Sequence, residues 1–269
     1  MRDLHSVAFA TPIWMAGPKP GSDNLLVRRL EGFAPLSDAD KAALEQVSAT
    51  LRFVESHIDL IREGDVPDGV FVVLEGFACR YKHRQTGARQ IMSYLLPGDL
   101  CDADASNLGP MDHAVGTLSA CVVARIPRDT LADLIERHPT IARALRLAKL
   151  AEEATAREWI VSLGTRSAME RLTHLFCELL ARLDAVGLAG EGCCALPITQ
   201  IDLSDTLGLS NVHVNRVLQE LRRQGLVELR GKHLKLRNLP RVRDIAEFSP
   251  SYLQPASGAN KHTLLSSTS

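Results

Sequence analysis

The chain has 269 residues, 45% hydrophobic and 23% charged, a composition that excludes a disordered chain or a simple fibre and gives length for about two domains. Lys and Arg number 31 against 32 Asp and Glu, so a surface for a polyanion must come from local segregation of charge and not from the net charge of -1. Only 4% of residues are aromatic, which disfavours the stacking platforms of a single-strand binder, whereas a duplex reader needs few aromatics.

Residues 1–29 hold Pro12, Gly17, Pro18, Pro20 and Gly21 without a sustained period and read as a loose arm. The apolar stretch 6–17 lacks the basic region of a secretory signal, and no run approaches the roughly 18–20 apolar residues of a membrane span. A cytoplasmic protein without membrane contact is therefore expected. Ser37 is placed to cap a short helix carrying Ala42, Ala43, Leu44 and Val47 at helical spacing within residues 37–55. Between Leu60 and Ile126, short runs rich in Val, Ile, Leu, Phe and Tyr are punctuated by glycine. This is the pattern of an antiparallel roll with tight turns, its strands predicted within 69–76, 77–83, 89–99 and 121–128.

After Pro127 the period turns helical. Residues 141–163 contain no Gly or Pro and carry apolar side chains on more than one face, which predicts two packing partners. One is the roll and the other a second copy of the chain, so a two-fold homodimer is expected. Gly164 and Thr165 are read as a break before another amphipathic helix on Leu172, Leu175, Phe176, Leu179, Leu180 and Leu183, and residues 185–195 as a Gly-rich loop. The six cysteines (Cys79, Cys101, Cys121, Cys177, Cys193 and Cys194) have neither zinc nor disulfide-framework spacing, and reduced thiols are expected. Cys193 and Cys194, beside the unit described next, are the candidates for a redox role.

That unit carries the functional signal. Thr199 is placed to cap a helix bearing Ile201, Leu203 and Leu207; Gly208 permits a tight turn; Ser210 caps a second helix whose apolar stripe is Val214, Val217, Leu218 and Leu221. Helix, glycine turn and helix form the arrangement in which the second helix enters the major groove. Beyond Gly225 an alternating segment turning at Gly231 and Lys232 predicts a two-stranded wing. Between residues 196 and 243 nine Lys and Arg face four acids, a local excess suited to phosphate. Arg216 suits the guanine edge and Asn211 or Asn215 the adenine edge, with His213 beside them, while Val212 offers apolar contact to a thymine methyl. Thr199, Gln200 and Ser210 stand at helix starts, and Lys232 at the wing tip, where phosphates are positioned.

These residues, with EGD at 63–65, VFVVLEG at 70–76, IMSYLLPGD at 91–99 and AMERL at 168–172, make residues 30–240 similar to the Crp/Fnr family of transcription regulators. The resemblance implies an α+β chain. An N-terminal cyclic-nucleotide-binding-like β-roll (a double-stranded jelly roll, 30–137) precedes a long dimerisation helix (138–164), a C-terminal winged helix-turn-helix (165–240) and a tail (241–269). It also implies a homodimer on palindromic double-stranded DNA that engages RNA polymerase.

The sequence also departs from the family. Cyclic-AMP binders follow the roll's Gly-Asp with Gly-Glu, and then Arg-Ser or Arg-Thr, to hold the phosphate; here those places read Asp102-Ala103 and Met111-Asp112. Asp102, Asp104 and Asp112 against His113 make a poor anion site, and Ala156-Arg157 replaces the Thr-Ser that such binders present to the base. Cyclic AMP is not the expected effector, and its identity is open. The iron-sulfur branch uses N-terminal cysteines, whereas the first cysteine here is Cys79. Haem would rest on isolated His57, His83, His113 or His138. No cofactor, metal or catalytic residue is expected. Val212 stands where the family often has Glu, so the preferred half-site should differ. Two rivals remain at this level: a metal-dependent enzyme on a cupin-like roll, for which the HxH-and-Glu pattern is missing, and a winged-helix signalling module that binds protein instead of DNA.

Overall fold

The computed structural model describes residues 22–101 and 109–254. Most of the expected arm, the residues Asp102, Ala103 and Asp104, and the end of the expected tail lie outside the described residues.

The first helix, α1 (Leu25–Glu31), corrects the reading of an arm to residue 29. Asn24 caps it by accepting from the Leu26 and Val27 amides, and it buries Leu26, Val27 and Leu30. Only seven residues long and close behind a Pro- and Gly-rich stretch, it shows too little period to be recognised in sequence. The helix α2 (Asp38–Val47) starts at Ser37 with a reciprocal capping box to Asp40. It stops before β1 (Leu51–Val54), so the second part of the 37–55 stretch is strand.

The roll consists of two four-stranded antiparallel sheets. In one, β1 pairs with β8 (Cys121–Pro127), β8 with β3 (Gly69–Glu75), and β3 with β6 (Leu100–Cys101). In the other, β2 (Asp59–Ile61) pairs with β7 (Ala114–Thr117), β7 with β4 (Ala78–His83), and β4 with β5 (Arg89–Leu95). Period-two alternation divides β3. Phe71 and Val73 point between the sheets with Val115, Leu95 and Val123, whereas Val70 and Val72 face α1, α3 (Arg128–Arg137) and α4 (Pro139–Thr165). Side chains thus fill the interior of the roll. Gly98, in the Gly-Asp turn, has φ +96, and a Cβ there would lie 2.5 Å from the Leu25 carbonyl, so this turn requires glycine to pack on α1.

On α4, Ile141, Ala144, Ala151, Thr155 and Trp159 are buried, while Leu150, Ile160 and Val161 are 45%, 70% and 49% exposed. The helix includes both Gly164 and Thr165. The break falls later, at Arg166 in extended backbone, and Ser167 with Glu170 then caps α5 (Ala168–Ala185). His174 of α5 is buried against Phe248 and Tyr252. Burial, reinforced by the Arg166 charge and opposed by Glu158, pushes its pKa down from 6.5 to about 4. The unfolded chain therefore binds a proton that the folded chain refuses. Stability on this account is full above pH 6.5 and declines as the pH falls towards about 4. Thermal denaturation at pH 7 and pH 5 should show a smaller difference for His174→Phe than for the natural chain; equal differences would remove His174 as a source.

Two more expectations are corrected in the C-terminal half. Residues 185–195 are not a loop: β9 (Ala189–Gly190) and β10 (Cys193–Ala195) form a hairpin, and β10 pairs with β12 (His233–Leu236). The wing strands β11 (Val227–Arg230) and β12 thus belong to a four-stranded sheet ordered β11-β12-β10-β9. The expected tail begins within a helix, α8 (Leu239–Ala246), and continues into a 3-10 turn (Pro250–Tyr252). Val242, Ala246, Phe248 and Leu253 are buried there.

Candidate nucleic-acid interface

The helix-turn-helix is built from local rules. Thr199 accepts from the Asp202 amide to start α6 (Gln200–Leu207), and Asp202 Oδ2 accepts in return from the Thr199 N–H and hydroxyl at 2.8 and 2.7 Å. Gly208 ends α6 at φ +63, the left-handed conformation that turns the chain into the next helix. Ser210 caps α7 (Asn211–Arg223) by accepting from the His213 amide at 3.3 Å. Val214, Val217, Leu218 and Leu221 are buried beneath α7, so its opposite face points outward.

On that outward face, Val212 is 72% exposed, and Asn215 and Arg216 are exposed beside it. Gln219 and Arg222 extend the same stripe. Sequence reasoning left these two out, although the seven-residue interval from Val212 to Gln219 places them there. His213 is half-buried. Asn211 is drawn back: its Oδ1 accepts from Ser204 Oγ of α6 at 2.7 Å, so this side chain braces the two helices and its carbonyl is not free for a base. Gln200 is exposed at the start of α6, while the Thr199 hydroxyl is already engaged by Asp202. At the wing tip, exposed Lys232 has φ +65.

Charge on this surface sorts into paired and unpaired groups. Arg223 is held by Glu220 at 2.7 Å, and Arg230 and Arg237 share Glu228 at 3.1 and 2.7 Å. Arg216, Arg222, Lys232 and Lys235 have no ion-pair partner among the described residues, which leaves them for an external anion. Arg216 is the one on the outward face of α7 level with Asn215.

Cys193 and Cys194 occupy strand β10 and not a loop, and adjacent strand residues point to opposite faces. Cys194 is buried, which pushes its thiol up to about 12, and only Cys193 is partly exposed. Burial pushes Cys79 and Cys177 up to about 12 as well. These buried thiols are poor nucleophiles.

Between the roll and α4 lies a cavity of about 340 Å³, bordered by Arg80, Ser93, His113, Glu152 and Ala156. Arg80 is 9% exposed and engages Ser93 Oγ at 3.2 Å, the Leu100 carbonyl at 3.4 Å and Glu152 at 3.5 Å. His113 and Lys82 lie 2.7 and 3.5 Å from Asp112. Of the guanidiniums that border the cavity, Arg80 is paired with Glu152, and Arg29 and Arg182 with Asp99, while the Asp112 carboxylate stands at the rim, which disfavours a phosphate.

The chain matches known proteins along both halves. Residues 51–138 match the cyclic nucleotide-binding domain, and residues 170–245 the Crp-like helix-turn-helix domain. The nitrogen fixation regulation protein FixK of Bradyrhizobium diazoefficiens is 30% identical over 79% of this chain and 90% of its own. The transcriptional activator protein FnrL of Cereibacter sphaeroides is 30% identical over 71% of this chain and 77% of its own. The solved structure of FixK2 from Bradyrhizobium japonicum superposes with a TM-score of 0.64 at 28% identity, covering 73% of this chain and 96% of that one. Among the described residues no helix is long and apolar enough to cross a membrane. With its antiparallel roll, its long helix, its helix-turn-helix and a relative of this identity and coverage, the chain belongs to the Crp/Fnr family of DNA-binding transcription regulators.

Proposed function

We propose that the protein is a cytoplasmic homodimer that binds a two-fold symmetric duplex site and acts there with RNA polymerase. The observation that carries this reading is the outward face of α7, where Arg216 stands exposed and unpaired among Val212, Asn215 and Gln219 on a capped, well-buried helix. Arg216 supplies the guanine contact and Asn215 the adenine contact; Gln200, Ser210 and Lys232 place the phosphates. The dimer forms along the exposed stripe of α4 that includes Leu150, Ile160 and Val161, an apolar surface of the kind a second helix covers. The paired guanidiniums and the Asp112 carboxylate of the cavity beside α4 support an effector other than cyclic AMP, or none.

Selection of duplexes from a random pool at two salt concentrations tests the reading. The expected result is a two-fold site whose affinity falls steeply with salt. Arg216→Ala should weaken that site by about 1–3 kcal/mol and relax preference at one base position of each half. Sequence-independent binding, or a mutant with full affinity and unchanged preference, refutes the assignment.

A further inference from the structure

The roll and the winged helix meet in a polar dock that uses none of the residues on the outward face of α7. Arg89, at the start of β5, donates from Nε to Asp205 at 2.7 Å and from Nη2 to Asp202 Oδ1 at 2.6 Å. Gln90 Nε2 donates to the Thr206 carbonyl at 3.2 Å, and the Tyr94 hydroxyl lies 2.5 Å from Thr206 Oγ1. Residues 202, 205 and 206 share one face of α6, so a single strand of the roll grips a single helical face. Tyr94, Asp202 and Thr206 are all but fully buried. From the other side, Arg171 Nη1 of α5 donates to the Leu207 carbonyl at 3.1 Å, holding the last turn of α6.

This geometry has a directional consequence. Apolar contact tolerates sliding and tilting, whereas a guanidinium forked between two carboxylates fixes an angle. Asp202 joins both ends of the arrangement: Oδ1 takes Arg89, and Oδ2 holds the Thr199 cap at the start of α6. Thr199, Gln200 and Ile201 remain exposed, as do Val212, Asn215 and Arg216 of α7, so the dock holds the helix-turn-helix without covering the surface assigned to DNA.

We propose that Arg89 is a positioning residue for DNA binding. Through Asp202 and Asp205 it sets the angle of the helix-turn-helix on the roll, and thereby the spacing of the two α7 helices in a dimer built on α4. This rests on the proposed two-fold reading. Its effect belongs to the pair of heads and not to the chemistry of one head on one half-site.

The experiment uses the full chain with two duplexes, the selected two-fold site and the same site with one half scrambled. Arg89→Met should lose about tenfold on the full site while keeping its half-site affinity within about twofold. Asp205→Asn, which leaves the Thr199 cap intact, should fall between, and the double variant should be no weaker than Arg89→Met alone. Arg89→Lys retains charge without the fork and should recover only part of the loss. Should Arg89→Met be too unstable to purify, Arg89→Lys and Asp205→Asn carry the same comparison. An unmoved ratio of full-site to half-site affinity, an equal loss on both duplexes, or tighter full-site binding overturns the positioning role while the two-fold reading stands. A natural chain with no preference for the full site removes the two-fold reading, and the inference with it.

Discussion

Arg182→Met is expected to destabilise the protein by about 3–5 kcal/mol, seen as a lowered urea midpoint with the folded secondary structure retained. Arg182 is 8% exposed on α5 and donates to Asp99 Oδ2 at 2.6 Å and to the Tyr94 carbonyl at 2.9 Å. Its other arm lies 3.6 Å from Glu178, which is fully buried and also accepts from Trp159 Nε1 and the Tyr252 hydroxyl. The methionine stem fills much of the same space, so the loss isolates charge from packing. Asp99 would keep its 2.8 Å partner Arg29, but Glu178 would have no cation among the described residues. The two carboxyls already respond oppositely to their surroundings. At Asp99, burial works against the charged form, but the Arg29 and Arg182 guanidiniums outweigh it and hold the pKa below the ordinary value. At Glu178 burial prevails over Arg182 and the pKa is raised. Adding Glu178→Gln to Arg182→Met should therefore recover part of the stability. A double variant no more stable than the single one would show that stranded charge is not the cause.

Phe176→Ala should be about as severe, at roughly 3–5 kcal/mol. Phe176 is fully buried in a cluster that does not respect the division between roll and winged helix. Phe77, Cys79, Ile91, Tyr94, Leu96 and Leu118 of the roll share it with Leu172, Leu175 and Leu179 of α5 and with Leu203, Leu207, Val214 and Leu218 of the helix-turn-helix. A cavity there loosens both halves together. Fluorescence of Trp159 in a Trp14→Phe background and far-ultraviolet circular dichroism should report coincident transitions with Phe176 present and with Phe176→Ala. Two separated transitions with Phe176 present would contradict a shared core.

The parts legible in sequence are those fixed over a few residues. Ser37, Thr199 and Ser210 announce themselves as caps because a hydroxyl stands ahead of an apolar period, and Gly208 because the turn needs φ +63. The strands β3, β4, β5 and β8 are visible as dense apolar runs between glycines. What stayed hidden depends on partners distant in sequence. The strand β10 is two cysteines and an alanine, too short to show a period, and beyond its two-residue partner β9 it is held in the sheet by β12, about forty residues further on. The helix α8 follows the wing with a short, charged stretch whose few apolar residues make sense only beneath α5. At the candidate interface, the exposed stripe of α7 follows from its period, but the Asn211 brace to Ser204 does not. Arg89 lies 113 residues from Asp202, and nothing local distinguishes it from any surface arginine.

The shared core also bears on modular engineering. Swapping DNA specificities between family members by joining one roll to another's winged helix would place the seam in the bend near Arg166, where the chain passes between helices. In this protein such a seam would separate β5 from the α6 face it grips and bare Leu175, Leu203 and Leu207 to a foreign surface. A winged helix expressed alone would expose the same patch and self-associate. A chimaera that keeps its solubility has to carry β4 and β5 along with the winged helix, so the unit of exchange is discontinuous in sequence.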